Sequence, residues 1–194
     1  MITPEQRKKI WASATTDFRG GADLDTLRIN DDGSVSFFEN VTLHNKRLTK
    51  LPFPIASVGN NLWLDDSRLT TLEGCPDVMQ GSLGIEGCLN LRNLKGAPSS
   101  CFEIMADNTR LTSLEGLPEE MSNMHLTWHA DLGMLRLLMV RGMQTIAISH
   151  PNPDLPLVQP ITDILQRYLN TGRAGVMPCA AELHKAGFGG NAKL

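Results

Sequence analysis

Arg68-Leu-Thr-Thr-Leu-Glu-Gly-Cys-Pro76 returns as Asn90-Leu-Arg-Asn-Leu-Lys-Gly-Ala-Pro98 and again as Arg110-Leu-Thr-Ser-Leu-Glu-Gly-Leu-Pro118, with a looser version at Arg47-Leu-Thr-Lys-Leu-Pro-Phe-Pro54. The first leucine of each L-x-x-L falls at Leu48, Leu69, Leu91, Leu111 and Leu132, at spacings of 21, 22, 20 and 21 residues. A unit this short cannot bury its own apolar face, so neighbouring units must stack into a solenoid.

The segment ahead of each L-x-x-L sets the kind of solenoid. Val41-Thr-Leu43, Leu62-Trp-Leu64, Leu83-Gly-Ile85, Ile104-Met-Ala106 and Leu126-Thr-Trp128 alternate with period two, the pattern of a short strand with one face inward. Three residues past the second inward position stand Lys46, Ser67, Cys88, Thr109 and Asp131. The return path carries Gly74, Gly96 and Gly116, followed two residues later by Pro76, Pro98 and Pro118. These turn residues leave no room for a long helix, so the outer side is predicted to be extended or irregular.

The pattern L-x-L-x-x-(N/C/T)-x-L over residues 41 to about 135 resembles the leucine-rich repeat family, in which the polar position usually holds Asn or Cys and satisfies backbone groups on the turn out of the strand. Asn is missing there in every unit of this chain, and only Cys88 and Thr109 are common substitutes, which predicts a degenerate turn ladder. The L-x-x-L-x-G-x-P variant is similar to repeats of bacterial and tailed-phage leucine-rich-repeat proteins. The tail, Leu165-Gln-Arg-Tyr-Leu169 with Ala180-Ala-Glu-Leu-His-Lys-Ala-Gly-Phe188, is similar to the helical ending of some phage-encoded members. The fold implied is a β-dominated α/β solenoid with a parallel sheet of about five or six short strands. The function the resemblance implies is interference with, or modification of, a host component such as a defence protein, by steric or competitive binding in the host cytoplasm.

Both ends need covering, because a solenoid exposes apolar edges there. Residues 1–40 read as an N-terminal cap. Thr3, Pro4 and Gln6 start a helix whose apolar stripe is Ile10, Trp11, Ala14 and Phe18, and Gly20-Gly21 breaks it. A hairpin of Leu24–Ile29 and Ser34–Phe38 then pairs onto the first repeat strand. The solenoid proper spans 41–150. Leu135, Leu138 and Met139 predict a true helix over 132–141, stopped by Gly142 and followed by a last strand at Thr145–Ser149. His150-Pro-Asn-Pro-Asp-Leu-Pro156 forms neither helix nor interior strand. Residues 151–194 then read as a two-helix cap: one helix on Ile161, Ile164, Leu165, Tyr168 and Leu169, a turn at 172–175, and a second helix over 178–186. The whole is expected to be one compact domain.

Composition narrows the function. The 194 residues carry a formal charge of −3 and no dense basic cluster, which argues against an electrostatic nucleic-acid binder. The N-terminus lacks the apolar run of a signal peptide and nowhere do 18 apolar residues follow one another, so a soluble, cytoplasmic protein is expected. Cys75, Cys88, Cys101 and Cys179 form no C-x-x-C pair or zinc spacing and read as free structural thiols. Cys179, near a helix start, is the one thiol that a helix dipole could activate.

If the L-x-L residues face the core, the residues between and after them line the concave sheet surface in two columns. One is Thr42, Trp63, Gly84, Met105 and Thr127; the other is His44, Asp65, Glu86, Asp107 and His129. Three carboxylates would then stand about 4.8 Å apart with an imidazole at each end, an arrangement that costs stability. A merely solvated polar column is one reading. A binding surface is another, with Trp63 and Met105 giving apolar contact and His44, Asp65, Glu86, Asp107 and His129 steering a basic protein partner. A flat ladder would hold a hard cation only weakly. The expectation is a non-enzymatic protein-binding module with no cofactor or metal and no nucleic-acid or membrane partner. A hydrolase or transferase using the acidic and His residues, and a self-associating structural protein, are the alternatives.

Overall fold

The computed structural model describes residues 1–19, 26–152 and 158–194. The chain opens with helix α1 (Pro4–Asp17) and a two-residue strand β1 (Phe18–Arg19), followed by β2 (Leu27–Ile29) and β3 (Val35–Phe37). It then winds through β4 (Val41–Leu43), β5 (Ile55–Ser57), β6 (Leu62–Trp63), β7 (Ser82–Gly84), β8 (Ser100–Ala106), β9 (Glu120–Thr127) and β10 (Thr145–Ser149), and ends on helices α2 (Gln159–Tyr168) and α3 (Arg173–Lys185). The strands β4, β6, β7, β8, β9 and β10 lie side by side in sequence order, every pair parallel, so each complete circuit of the chain adds one strand. This is a β-dominated solenoid with a helix at one end and helices at the other. No helix among the described residues is long and apolar enough to cross a membrane.

The core follows from the repeat. Leu62, Leu64, Leu83, Ile85, Ile104 and Ala106 point inward from the strands, and Leu69, Leu72, Leu91 and Leu94 of the L-x-x-L pairs meet them, all with no solvent exposure. On the return path Gly96 and Gly116 adopt φ of 85° and 89°. A Cβ at Gly96 would lie 2.3 Å from Glu73 N, and one at Gly116 2.3 Å from Leu94 O, so only glycine lets successive turns stack this closely.

The turns out of β6, β7 and β8 are better built than the missing asparagines predict. Ser67 Oγ lies 3.2 Å from Cys88 Sγ, which donates to Leu64 O at 3.3 Å, and Thr109 Oγ1 donates to Ala106 O at 2.7 Å. All three side chains are buried. Serine and threonine hydroxyls and a thiol therefore do the work of the asparagine amide, because a short donor suffices when the turn itself is tight. One residue before each of them stands Asp66, Gly87 or Asn108, with φ of 55°, 68° and 53°. Asp, Gly and Asn are the residue types that enter this left-handed region most readily.

At the N-terminal end the predicted capping box is present: Thr3 Oγ1 accepts from Gln6 N at 3.2 Å and Gln6 Oε1 accepts from Thr3 N at 2.8 Å. Ala14 and Phe18 are buried, and Ile10 and Trp11 pack half-buried against the core. The hairpin does not pair onto the first repeat strand. β3 instead runs parallel to β5 in a separate three-stranded sheet, and β1 takes the edge of the main sheet, antiparallel to β4. The reason is packing: Phe18, at the end of α1, meets Phe37 and Phe53 at ring-centroid distances of 5.6 and 5.5 Å, which draws β1 to the edge and β3 to the second face. The Gly20-Gly21 break, the start of the arm at Leu24 and positions 153–156 of the proline-rich segment lie outside the described residues.

At the other end β10 and α2 form where expected, with Ile161, Ile164 and Leu165 buried. Two boundaries differ. Residues 132–141 form only a 3-10 turn at Leu135–Met139, because Leu135, Leu137 and Leu138 are all buried, which a one-sided α-helix would not allow, and Met139 is left exposed. Helix α3 starts at Arg173, so the expected inter-helix turn at 173–175 is helical. Gly172 supplies the positive φ of 56° that the sharp change of direction requires, and Gly175 is buried where a Cβ would strike Thr171 Oγ1. Pro178 costs the helix one backbone bond without ending it.

Candidate functional site

Strand register places the outward side chains. Thr42, Trp63, Gly84, Met105, His125 and Ala147 are successive partners across the sheet. The next outward row begins His44, Asp65, Glu86, Asp107, and the ladder bonds Asp66 N to Glu86 O and Gly87 N to Asp107 O keep the three acidic residues in step. The predicted acidic column is therefore present, and Trp63 and Met105 stand in the predicted neighbouring column.

Past Asp107 the prediction is two residues out of register. Ile104 and Ala106 pair with Met124 and Leu126, not with Leu126 and Trp128. The column residues are thus His125 and Thr127, where the sequence reading has Thr127 and His129. His129 lies beyond the strand and is exposed, its carbonyl accepting from Asn191 Nδ2 at 2.8 Å. Trp128 is likewise not an inward strand residue. Its ring stacks on His150 with centroids 5.4 Å apart and its Nε1 donates to Asn191 Oδ1 at 3.3 Å, which ties the last turn to the C-terminal tail. Because side chains alternate with period two, a slip of two residues keeps every side chain on its face, and alternation alone cannot detect it.

The corrected register brings together residues that the sequence reading left apart. His125 Nε2 lies 3.2 Å from Glu103 Oε1 and its Nδ1 3.8 Å from Asp107 Oδ2. Ser149 Oγ donates to Asp107 Oδ1 at 2.6 Å, and Ser82 Oγ donates to Glu103 Oε2 at 3.1 Å. The signal that could have found them is in the turns: Gly96 and Gly116 are each followed eight residues later by the first inward residue of the next strand, Ile104 and Met124. At the other side, Trp63 is half-buried rather than open. Its ring lies over Gly84, where a Cβ would stand 2.3 Å from Trp63 Cε3, so the glycine is the seat of the indole.

The like-charge ladder persists because part of it is held by hydrogen bonds. Asp65 Oδ1 accepts from Glu86 N at 2.9 Å. Burial nevertheless raises the Asp65 carboxyl above its ordinary range, against the opposing pull of that hydrogen bond and of Lys46. Glu86 is raised by burial and then by Asp65 and Asp107, with His125 opposing. A carboxyl raised in the folded state binds more protons there than in the unfolded chain, so its contribution to stability falls as pH rises from the ordinary carboxylate range, about 4, through the raised folded value. Asp65→Asn keeps an acceptor for the Glu86 N–H and removes the charge. Urea unfolding should show it more stable than the parent at pH 7 by roughly 0.5–1 kcal/mol, with the difference shrinking toward pH 4. A variant less stable than the parent at pH 7 would mean that the Asp65 charge is stabilising.

The Ser149 hydroxyl donates to Asp107 Oδ1 at 2.6 Å and lies 3.2 Å from Leu126 O and 3.3 Å from Thr127 Oγ1. Among the described residues no group of three or more His, Cys, Asp and Glu is arranged to hold a metal ion. The thiols lie elsewhere: desolvation pushes half-buried Cys75 and buried Cys101 up to about 12 and Cys179 up to about 11. Cys179 is not at a helix start as expected: α3 begins at Arg173, and the Cys179 side chain is fully buried in its second turn. No protein-family model, curated protein or solved structure matches this chain.

Proposed function

We propose that this protein is a non-enzymatic binding module whose open sheet face docks another protein through basic residues. The observation that carries this reading is the side-by-side placement of half-buried Trp63 and Met105 with the Asp65, Glu86 and Asp107 carboxylates, apolar contact next to one sign of charge. Glu103 extends the acidic surface and His125 is paired within it. Aromatic and thioether groups supply desolvated contact, and a single-sign border steers association with a partner of opposite sign. The leucine-rich-repeat-like spacing, and the likeness of the repeats and tail to short phage and bacterial proteins, support a finer form of the same reading: an inhibitor that covers the working surface of a host protein.

The test is affinity capture from the native host cytoplasm, followed by binding kinetics on the protein identified. Trp63→Ala should speed dissociation about 30-fold, the equivalent of about 2 kcal/mol for an interface anchor. Asp65→Lys combined with Asp107→Lys should slow association by about tenfold at low salt and flatten its salt dependence. Thermal melting of each variant separates these effects from folding. If both variants bind with the parent's rates, this face is not the interface.

A further inference from the structure

A cleft of about 750 Å³ lies between the 117–119 segment, the 135–141 turn and the first turn of α3. None of the residues of the sheet columns lines it. Its floor and sides are apolar, from Leu117, Val140, Val176 and Met177, and Met177 is 76% exposed, so the apolar surface is open to a ligand. Three guanidinium groups, Arg136, Arg141 and Arg173, line the same cleft. Glu119, the one side-chain carboxylate among the lining residues, faces Arg141 at 3.9 Å, and Glu120 lies 3.7 Å from that same arginine; Leu194, the last residue of the chain, also lines the cleft and makes no ion pair with Arg136 or Arg173 among the described residues. Arg136 and Arg173 make no ion pair or side-chain hydrogen bond with any described residue and are exposed. Arg173 is also the first residue of a 13-residue helix whose N-cap is Gly172, with no side-chain cap, so the positive end of α3 is presented beside the same two charges.

An apolar cleft in the size range of small-molecule sites, with uncompensated cations at its rim, is complementary to one ligand class. We propose that this cleft binds a free single-chain carboxylate amphiphile, its carboxylate held by Arg136 and Arg173 at the N-terminus of α3 and its alkyl chain laid along Leu117, Val140, Val176 and Met177. Each buried methylene contributes about 0.8 kcal/mol, so the chain supplies most of the affinity and the arginines supply selectivity for the anion. The site would act independently of the sheet face.

The probe is dodecanoate below its micelle concentration, with dodecyltrimethylammonium as the isosteric cation, measured by titration calorimetry and methyl NMR on the whole chain. Dodecanoate should bind one site with a Kd on the order of 10 µM, and the cation at least about tenfold more weakly. Shifts should cluster on Leu117, Val140, Val176 and Met177. Arg136→Glu with Arg173→Glu should weaken dodecanoate by about tenfold or more, and Met177→Asp by several-fold; all three positions are exposed, so melting should be unchanged. Trp63→Ala, on the sheet face, should bind dodecanoate like the parent. The proposal is overturned if dodecanoate fails to bind at up to about 0.5 mM, well above the expected Kd, if the two amphiphiles bind alike, if the double arginine variant binds like the parent, or if the shifts cluster elsewhere.

Discussion

Leu64→Asp and Ile85→Asp should each unfold the solenoid, or leave it so marginal that circular dichroism shows no cooperative melt at 25 °C. Both side chains have no exposure and sit where strand and L-x-x-L leucines from successive turns converge. Substitution removes a buried aliphatic group, which costs about 2–5 kcal/mol, and places there a carboxylate with no cation to pair with, which costs several kcal/mol more. The total rivals the whole stability of a domain, about 5–15 kcal/mol. Thr42→Asp is the control. It lies on the same sheet, one residue from Leu43 but on the outward face, and is exposed, so its effect should stay within about 0.5 kcal/mol. Equal melts for Leu64→Asp and Thr42→Asp would contradict the inward and outward assignment on which every statement about the open face depends.

The fold was legible because a solenoid writes its geometry into the sequence once per turn. The L-x-x-L leucines, the turn glycines and the alternating strand residues each had several copies to confirm them, and residues 41 to 107 are placed as the spacing predicts. The reading failed where copies ran out. The last repeat strand has no following L-x-x-L-x-G-x-P unit to anchor it, and the run Met124, Leu126, Trp128 satisfies the same alternation in two registers. Taking Leu126 and Trp128 as the inward pair carried His129 into the site and left His125 outside it. Glu103 and Ser149 were missed for a different reason. Ser149 ends β10 and Glu103 stands just before the predicted start of its strand at Ile104, and their roles depend on contacts across the sheet, Ser149 to Asp107 over 42 residues and Glu103 to His125 over 22, which no local pattern encodes. The hairpin was assigned to the wrong sheet because pairing preference cannot show that Phe18, Phe37 and Phe53 will cluster.

Removal of residues 159–194 should convert the protein into an aggregating species. β10 is the last strand of the main sheet, and α2 covers it in two ways. Gln166 works as a clip on the strand: its Oε1 accepts from Ile146 N at 3.2 Å, and its Nε2 donates to Gln144 O. Ile161, Ile164 and Leu165 meanwhile bury themselves in the same core as Ile146 and Ile148. Burial of three such side chains contributes about 1.5–3 kcal/mol each. The truncation also deletes Asn191, whose amide donates to the carbonyls of His129 and Leu132, and whose carbonyl accepts from Met134 N. Those groups of the last turn, among them those of buried Leu132 and Met134, would lose their partners together. What remains is an uncovered parallel edge carrying Ile146 and Ile148, the kind of surface that recruits another strand. Light scattering should show particles growing with concentration and a loss of the parent's cooperative melt, whereas Gln166→Ala alone, which keeps the apolar cover, should scatter like the parent and lose about 1–2 kcal/mol. A truncated chain with the parent's scattering and melting temperature would mean that the helices do not protect the solenoid.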